Sequence, residues 1–289
     1  MHPGTKLRQA LAGKGLVTAP GVYDMISAKI ADGLGFPALY MTGYGVSASL
    51  GMPDAGLISY GEMVGRVAQI CQGTSTPVVC DADTGFGGLL NVERTVQGYE
   101  RAGAAGIQIE DQVFPKRCGH TPGRRVVPVE DMVRKIKVAA ATRNSADFLI
   151  VARTDARTRH GLDEALRRGE AFAKAGADIL FIESPESEEE MAAIGRRFDT
   201  PLVANMADGG RTPILSKARL EALGYRMAIF PATGFLATAK ALTHVYGVLK
   251  ATGSSDTLAS ELHSFDKFCR LVGFEHVWEF EKRWPEEGA

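Results

Sequence analysis

The chain has 289 residues, 45% of them hydrophobic and 23% charged, with 33 basic against 34 acidic side chains. That composition suits a globular protein with a sizeable core. A formal net charge of −1 removes the global field that would draw nucleic acid or an anionic membrane, so recognition by charge has to be local.

The first stretch, MHPGTKLRQALAGKGLVTAP, lacks the apolar run of a signal peptide. The longest apolar runs are far shorter than the roughly 20 residues a membrane-spanning helix needs. Cys71, Cys80, Cys118 and Cys269 have neither C-x-x-C spacing nor a disulfide-like framework. A cytoplasmic protein with reduced thiols and no membrane partner is expected.

Along the chain, short apolar runs alternate with longer amphipathic segments. LVTAP at 16–20 is followed by the helical DMISAKIADGLG, and ALYMTG at 38–43 by GEMVGRVAQICQG. PVVCDAD at 77–83 leads to NVERTVQGYERAGAAG, and GIQIED comes next at 106–111. FLIVARTD at 148–155 precedes GLDEALRRGEAFAKAGA, and DILFIES at 178–184 precedes SEEEMAAIGRRF. PLVANM at 201–206 and MAIFP at 227–231 complete the set. The runs are nearly continuous in Val, Ile and Leu, as strands buried on both faces should be. Several helical segments close with Gly, a common helix stop.

Eight such units predict an α/β fold, a (β/α)8 TIM barrel. A doubly wound open sheet is the alternative. It usually carries a glycine-rich nucleotide loop after its first strand, where this chain reads APGVYD. No linker divides residues 1–289, so a single barrel domain is expected, with 253–289 as a C-terminal helical extension. That tail carries Phe265, Phe268, Leu271, Val272, Phe274, Trp278 and Phe280. Such an apolar segment packs either on its own barrel or on a neighbouring subunit.

In a barrel of this kind the C-terminal strand ends form the active face. Here they read Thr42, Asp81 and Asp83, Glu110 and Asp111, Arg153 and Asp155, Glu183, and Asn205. Single polar residues at strand ends are often turn formers or caps. So many carboxylates on one rim repel each other unless a cation holds them. Asp81 and Asp83, two apart, are expected on one face of a strand, with Glu110 beside them and Asp54 approaching from a loop. Hard oxygen ligands without His or Cys select Mg²⁺, with Mn²⁺ as a substitute. Mg²⁺ keeps several waters, so one or two of these acids touch it and the rest hold waters.

Arg153 ends an apolar strand. It is either neutralised by a rim carboxylate or binds a substrate carboxylate bidentately. The TGYG turn at 42–45 offers backbone N–H groups to the same anion. The segment PKRCGHTPGRR at 115–125 has no strand or helix period and sets a thiol among cations on a loop.

The motifs MTGYGVSAS, GMPDAGL, DADTGFGG, IEDQVFPKRCGH, VARTDA, LVANMADGGRTP and FEKRW resemble the isocitrate lyase / phosphoenolpyruvate mutase family over almost the whole chain. The resemblance implies a (β/α)8 barrel, often with its eighth helix exchanged between subunits of a dimer-of-dimers homotetramer. It also implies Mg²⁺ and 2-hydroxy- or 2-oxo-carboxylate chemistry. By the same resemblance Asp81 is the direct metal ligand, and Asp83, Glu110 and Asp54 are water-mediated ones. Arg153 and the backbone of Thr42, Gly43 and Tyr44 form the carboxylate site, Glu183 and Asn205 line the pocket, and Lys116, Cys118 and His120 form the catalytic loop.

The expected reaction is retro-aldol-type cleavage of a substituted 2-hydroxy dicarboxylate to a 2-oxoacid such as pyruvate and a carboxylate. Cys118 is its general acid, tuned by Lys116, Arg117 and His120. VSAS and PGVYD are most similar to the lyases of 2-alkylmalates such as 2,3-dimethylmalate, including the petal-death lyase. Next come 2-methylisocitrate lyases, which carry glycine where Tyr44 stands, then carboxyphosphonoenolpyruvate mutases, then oxaloacetate decarboxylases. Pro231 replaces the serine of the family's oxaloacetate hydrolases. A non-catalytic metabolite-binding barrel is the reading from another class, and intact Asp81, Glu110, Arg153 and Cys118 speak against it.

Overall fold

A computed structural model of the protein describes residues 1–119 and 123–285. The predicted strand runs all form. They are β1 (Val17–Val22), β2 (Leu39–Met41), β3 (Val78–Asp81), β4 (Gly106–Glu110), β5 (Leu149–Thr154), β6 (Ile179–Ile182), β7 (Val203–Asn205) and β8 (Met227–Phe230). They pair in parallel in the order β6-β5-β4-β3-β2-β1-β8-β7. A parallel bridge between Leu180 and Leu202 joins the two outer strands and closes the barrel. The architecture is therefore the expected (β/α)8 barrel.

Local chemistry sets the helices. The segment Met25–Gly33 starts at Asp24, whose side chain accepts from the N–H of Ser27, with the serine hydroxyl reaching back in a capping box. Tyr60–Gly73 starts the same way, with Ser59 and Glu62; such caps satisfy N–H groups the helix itself leaves open. Leu162–Ala175 ends at Gly176 in the left-handed conformation, which suits glycine. The helices outside the predicted set are Pro3–Ala12, Gly43–Ser49, Val129–Thr142, Arg157–His160 and Lys217–Ala222. Of these, Val129–Thr142 fills the place after β4, where the mixed loop composition at 115–125 hides the change of period.

The core has two layers. One lies between strands and helices and includes Met63, Val67, Val96, Met132, Phe172 and Ile194. The other fills the barrel interior with alternate strand residues, including Val17 and Ala19, Leu149 and Val151, Ile179 and Phe181, and Met227 and Ile229. Leu7 and Leu11 of the helix Pro3–Ala12 join this inner cluster. That helix stoppers the end of the barrel where the strands begin. Gly4 lies so close to the carbonyls of Asp147 and Ala105 that no Cβ fits there.

The period of two that fills the interior also delivers the site. Counting onward along each strand, Val79 leads to Asp81, Leu149 and Val151 to Arg153, Ile179 and Phe181 to Glu183, and Val203 to Asn205. The same stripe that is apolar at one end of the barrel is polar at the other.

The chain forms two compact units, Met1–Phe235 and Leu236–Ala289. The second contains most of the long helix Thr233–Thr252 and the helices Phe265–Leu271 and Phe274–Arg283. Within it Arg270 pairs with Asp266 and Glu275, while Phe265, Phe280 and Trp284 are exposed. Among the described residues no helix is long and apolar enough to cross a membrane.

Candidate active site

Asp81 sits at the end of β3, inside the barrel mouth. Its Oδ1 accepts from the N–H of Asp83 (3.0 Å) and from Nε2 of Gln108 (3.3 Å). Its Oδ2 accepts from the N–H of Gly43 (3.3 Å). Gln108 is the β4 residue in register with Asp81, and its Oε1 in turn accepts from the hydroxyl of buried Tyr40 (2.8 Å). A chain of three interior side chains thus fixes the orientation of one carboxylate. Gln108 and Tyr40 were not read from the sequence. The signal was available, because Gln108 lies two residues before Glu110 on the same face.

Asp83 departs from expectation. It lies beyond β3, with φ +48°, so it does not share a strand face with Asp81. The turn carries it to Lys116, whose Nζ lies 2.8 Å from its Oδ1 and also pairs with Asp54. Burial pushes the Asp83 carboxyl up; Lys116 opposes this, and the balance is about 6. Lys116 is itself buried, which disfavours its charge, but Asp83 and Asp54 outweigh this and hold its pKa well above the usual lysine range. Lys116, expected beside the thiol, is therefore held among the acids.

Glu110 ends β4 and is 2% exposed. Its Oε2 lies 3.4 Å from Nε of Arg153, its register neighbour on β5. Its Oε1 is buried with no hydrogen-bond partner among the described residues. Burial raises this carboxyl well above the usual range. Asp111, the next residue, faces outward to Arg168 (2.9 Å), and its carboxyl is pushed to about 6, first by burial and then by Asp155.

Arg153 pairs with carboxylates of the rim. Asp155 takes both of its fork nitrogens, Nε at 2.9 Å and Nη2 at 2.9 Å. Its guanidinium also lies 3.4 Å from Glu183 and over the Phe181 ring at 5.0 Å. Glu183 accepts from Nδ2 of Asn205 (3.0 Å) and from Oγ of Ser184 (2.9 Å). Four of the expected residues are thus gathered on this side: Glu110, Arg153, Glu183 and Asn205.

The TGYG segment begins a helix, Gly43–Ser49, rather than a turn, with Thr42 as its cap accepting from the N–H of Gly45. The N–H of Gly43 is already engaged by Asp81. A Cβ at Gly43 would lie 2.7 Å from that carboxylate, so the position requires glycine. Tyr44 is 42% exposed and its ring meets Phe235 at 5.0 Å between centroids.

The loop reaches the same rim. The N–H of Cys118 donates to the carbonyl of Asp54 (3.1 Å), and its half-buried side chain is not in a disulfide. A side chain at Gly119 would strike Arg153 and Glu183. His120 lies outside the described residues.

The donor set suits a hard divalent cation. It offers carboxylate oxygens, and it leaves Glu110 Oε1 buried without a hydrogen-bond partner among the described residues. Among the described residues no three His, Cys, Asp or Glu side chains are gathered as a direct ligand group.

The family model for phosphoenolpyruvate phosphomutase matches residues 7–249. The chain is 50% identical to 2,3-dimethylmalate lyase of Eubacterium barkeri, over 97% of this chain and 98% of that protein. It is 43% identical to 2-methylisocitrate lyase of Aeropyrum pernix, over 98% and 90%. Among solved structures it is similar to phosphonopyruvate hydrolase complexed with oxalate and Mg²⁺, with a TM-score of 0.90 and 31% identity over 98% of this chain and 99% of that one. With the barrel, the rim and these likenesses together, the chain belongs to the phosphoenolpyruvate phosphomutase family.

Proposed function

We propose that the protein is a Mg²⁺-dependent carbon–carbon lyase. It cleaves a substituted 2-hydroxy dicarboxylate of the 2-alkylmalate type, 2,3-dimethylmalate above all, to a 2-oxoacid such as pyruvate and a carboxylate. The observation that carries this reading is the pairing, in one barrel mouth, of an oriented acid at Asp81 and an unpartnered oxygen at Glu110 with the cation of Arg153 beside them. Half the chain's residues match the 2,3-dimethylmalate lyase of Eubacterium barkeri, which supports the substrate class.

Asp81 would hold the ion directly, with Asp83, Glu110 and Asp54 holding its waters. When bound, Mg²⁺ polarises the hydroxyl and the adjoining carboxylate of the substrate. Arg153, with the chain around Thr42, Gly43 and Tyr44, binds that carboxylate. A base takes the hydroxyl proton, and the C–O bond becomes a carbonyl as the neighbouring C–C bond breaks. The electron pair left on carbon, delocalised into its carboxylate, takes a proton from the Cys118 thiol. Glu183 and Asn205 orient the substrate from beside Arg153. Lys116 bridges Asp83 and Asp54 and offsets their mutual repulsion.

The Tyr44–Phe235 contact supports alkyl substituents over a third carboxylate, and 2-methylisocitrate is the second choice of substrate. The exposed aromatic residues of the second unit support a homotetramer as the working assembly.

The test is release of a 2-oxoacid from 2,3-dimethylmalate, 2-methylisocitrate and oxaloacetate, with and without Mg²⁺, coupled to a dehydrogenase. Mg²⁺-dependent turnover fastest with 2,3-dimethylmalate is expected. No turnover of any of the three overturns the lyase reading.

A further inference from the structure

Arg124 is buried at the edge of the site and was not among its expected residues. Its Nη1 donates to Oδ1 of Asp155 (2.5 Å), and its Nη2 donates to Oγ1 of Thr158 (2.6 Å) and lies 3.4 Å from Oγ of Ser184. Asp155 is the carboxylate that already holds Arg153 by both fork nitrogens. Arg153 is shared with Glu110 and Glu183 as well as Asp155, so Arg124 adds a second guanidinium to Asp155 while its other fork nitrogen goes to the neutral hydroxyls of Thr158 and Ser184, contacts that charge balance does not require. The Nε of Arg124 is also buried without a hydrogen-bond partner among the described residues, an unfavourable placement in a purely structural pair.

Ser184, the third group Arg124 reaches, has φ +59°, a left-handed conformation that serine rarely adopts. Its hydroxyl also meets Oε1 of Glu183 (2.9 Å) and the carbonyl of Gly119 (3.3 Å). The Arg124 fork therefore ties the segment after β5, through Asp155 and Thr158, to the segment after β6, through Ser184. Those two segments carry the two sides on which Arg153 rests, Asp155 and Glu183.

We infer that Arg124 is a positioning residue for Arg153: by bridging Asp155 and Ser184 with one rigid fork, it sets where the Arg153 guanidinium presents itself to an anionic substrate. The inference rests on the reading of Arg153 as the carboxylate-binding group. Lysine keeps the charge but cannot span both partners, because its ammonium lacks the planar fork.

The experiment uses the full-length protein with Mg²⁺ and follows oxalate binding by calorimetry alongside the kinetics of the best substrate. Arg124→Lys is expected to weaken oxalate binding about tenfold and to raise KM by a similar factor, with kcat changed by less than about threefold. Thr158→Val removes one bond of the fork and leaves every charge in place; it should shift oxalate affinity the same way, by a few-fold, and it serves if the lysine variant does not fold. An Arg124→Lys protein that binds oxalate as the wild type does overturns the inference. So does an equal fall in kcat with KM unmoved. A wild-type protein that binds no oxalate overturns the reading of the site itself, a separate outcome.

Discussion

The ammonium of Lys116 lies 2.8 Å from Oδ1 of Asp83, with both groups withdrawn from water. The loop that brings Cys118 to the rim is thereby fastened to the acids by the residue two positions before the thiol. The pair also links the metal reading to pH. Burial raises the Asp83 carboxyl from 3.8 to about 6 despite its partner. The folded protein then holds this proton more tightly than the unfolded chain, so without metal this group's contribution to stability falls as pH rises through that window. Mg²⁺ takes the deprotonated acid. Its affinity should therefore drop by up to about tenfold per pH unit below about 6 and level off above about 7. Calorimetric titration with Mg²⁺ from about pH 5 to about pH 8 checks this, and a pH-independent affinity contradicts it.

Gly43→Ala should uncouple activity from stability. The new Cβ would meet the Asp81 carboxylate at 2.7 Å, while alanine suits the helix start well enough. Turnover is expected to fall by about 100-fold or more as Asp81 moves, with Mg²⁺ affinity falling too. Thermal unfolding without metal should change little. Full activity in this variant would remove Asp81 from the site.

Cys118→Ser keeps the size of the side chain and removes its acidity. Cleavage should fall by about 100-fold to 10,000-fold, the usual scale for a general acid. Mg²⁺ and oxalate should bind as before, since the thiol belongs to neither site on this reading. Near-normal turnover would assign the proton to another group.

Leu7→Ala probes the stopper at the other end of the barrel. Leu7 is fully buried with the inner cluster, and a leucine cavity of that kind lowers stability by about 2–5 kcal/mol. Urea unfolding should show the loss. Turnover per folded molecule should hold, because the cavity lies at the end away from the polar rim.

Much of this site was legible in the chain. Asp81, Glu110, Arg153, Glu183 and Asn205 were placed at strand ends because each apolar run ends on one of them, and a period of two puts them inside. Asp83 was misplaced because a left-handed turn breaks that period, and nothing in DADTG states the sign of φ. Lys116 was assigned to the thiol because it is near Cys118 in sequence; its actual partners, Asp54 and Asp83, come from two other loops. Arg124 and Ser184 gave no sequence signal, since their importance lies in which carboxylate and which carbonyl they share.

The barrel follows from the chain alone, through eight apolar runs with polar ends, and so does the class of chemistry, through carboxylates set beside cations and one thiol. Those are properties of local period and residue type, which a single strand or loop already possesses. Only the tertiary structure decided which oxygens pair and which stay open. That choice depends on the register between strands and on the paths of separate loops, and both are settled when the whole barrel closes.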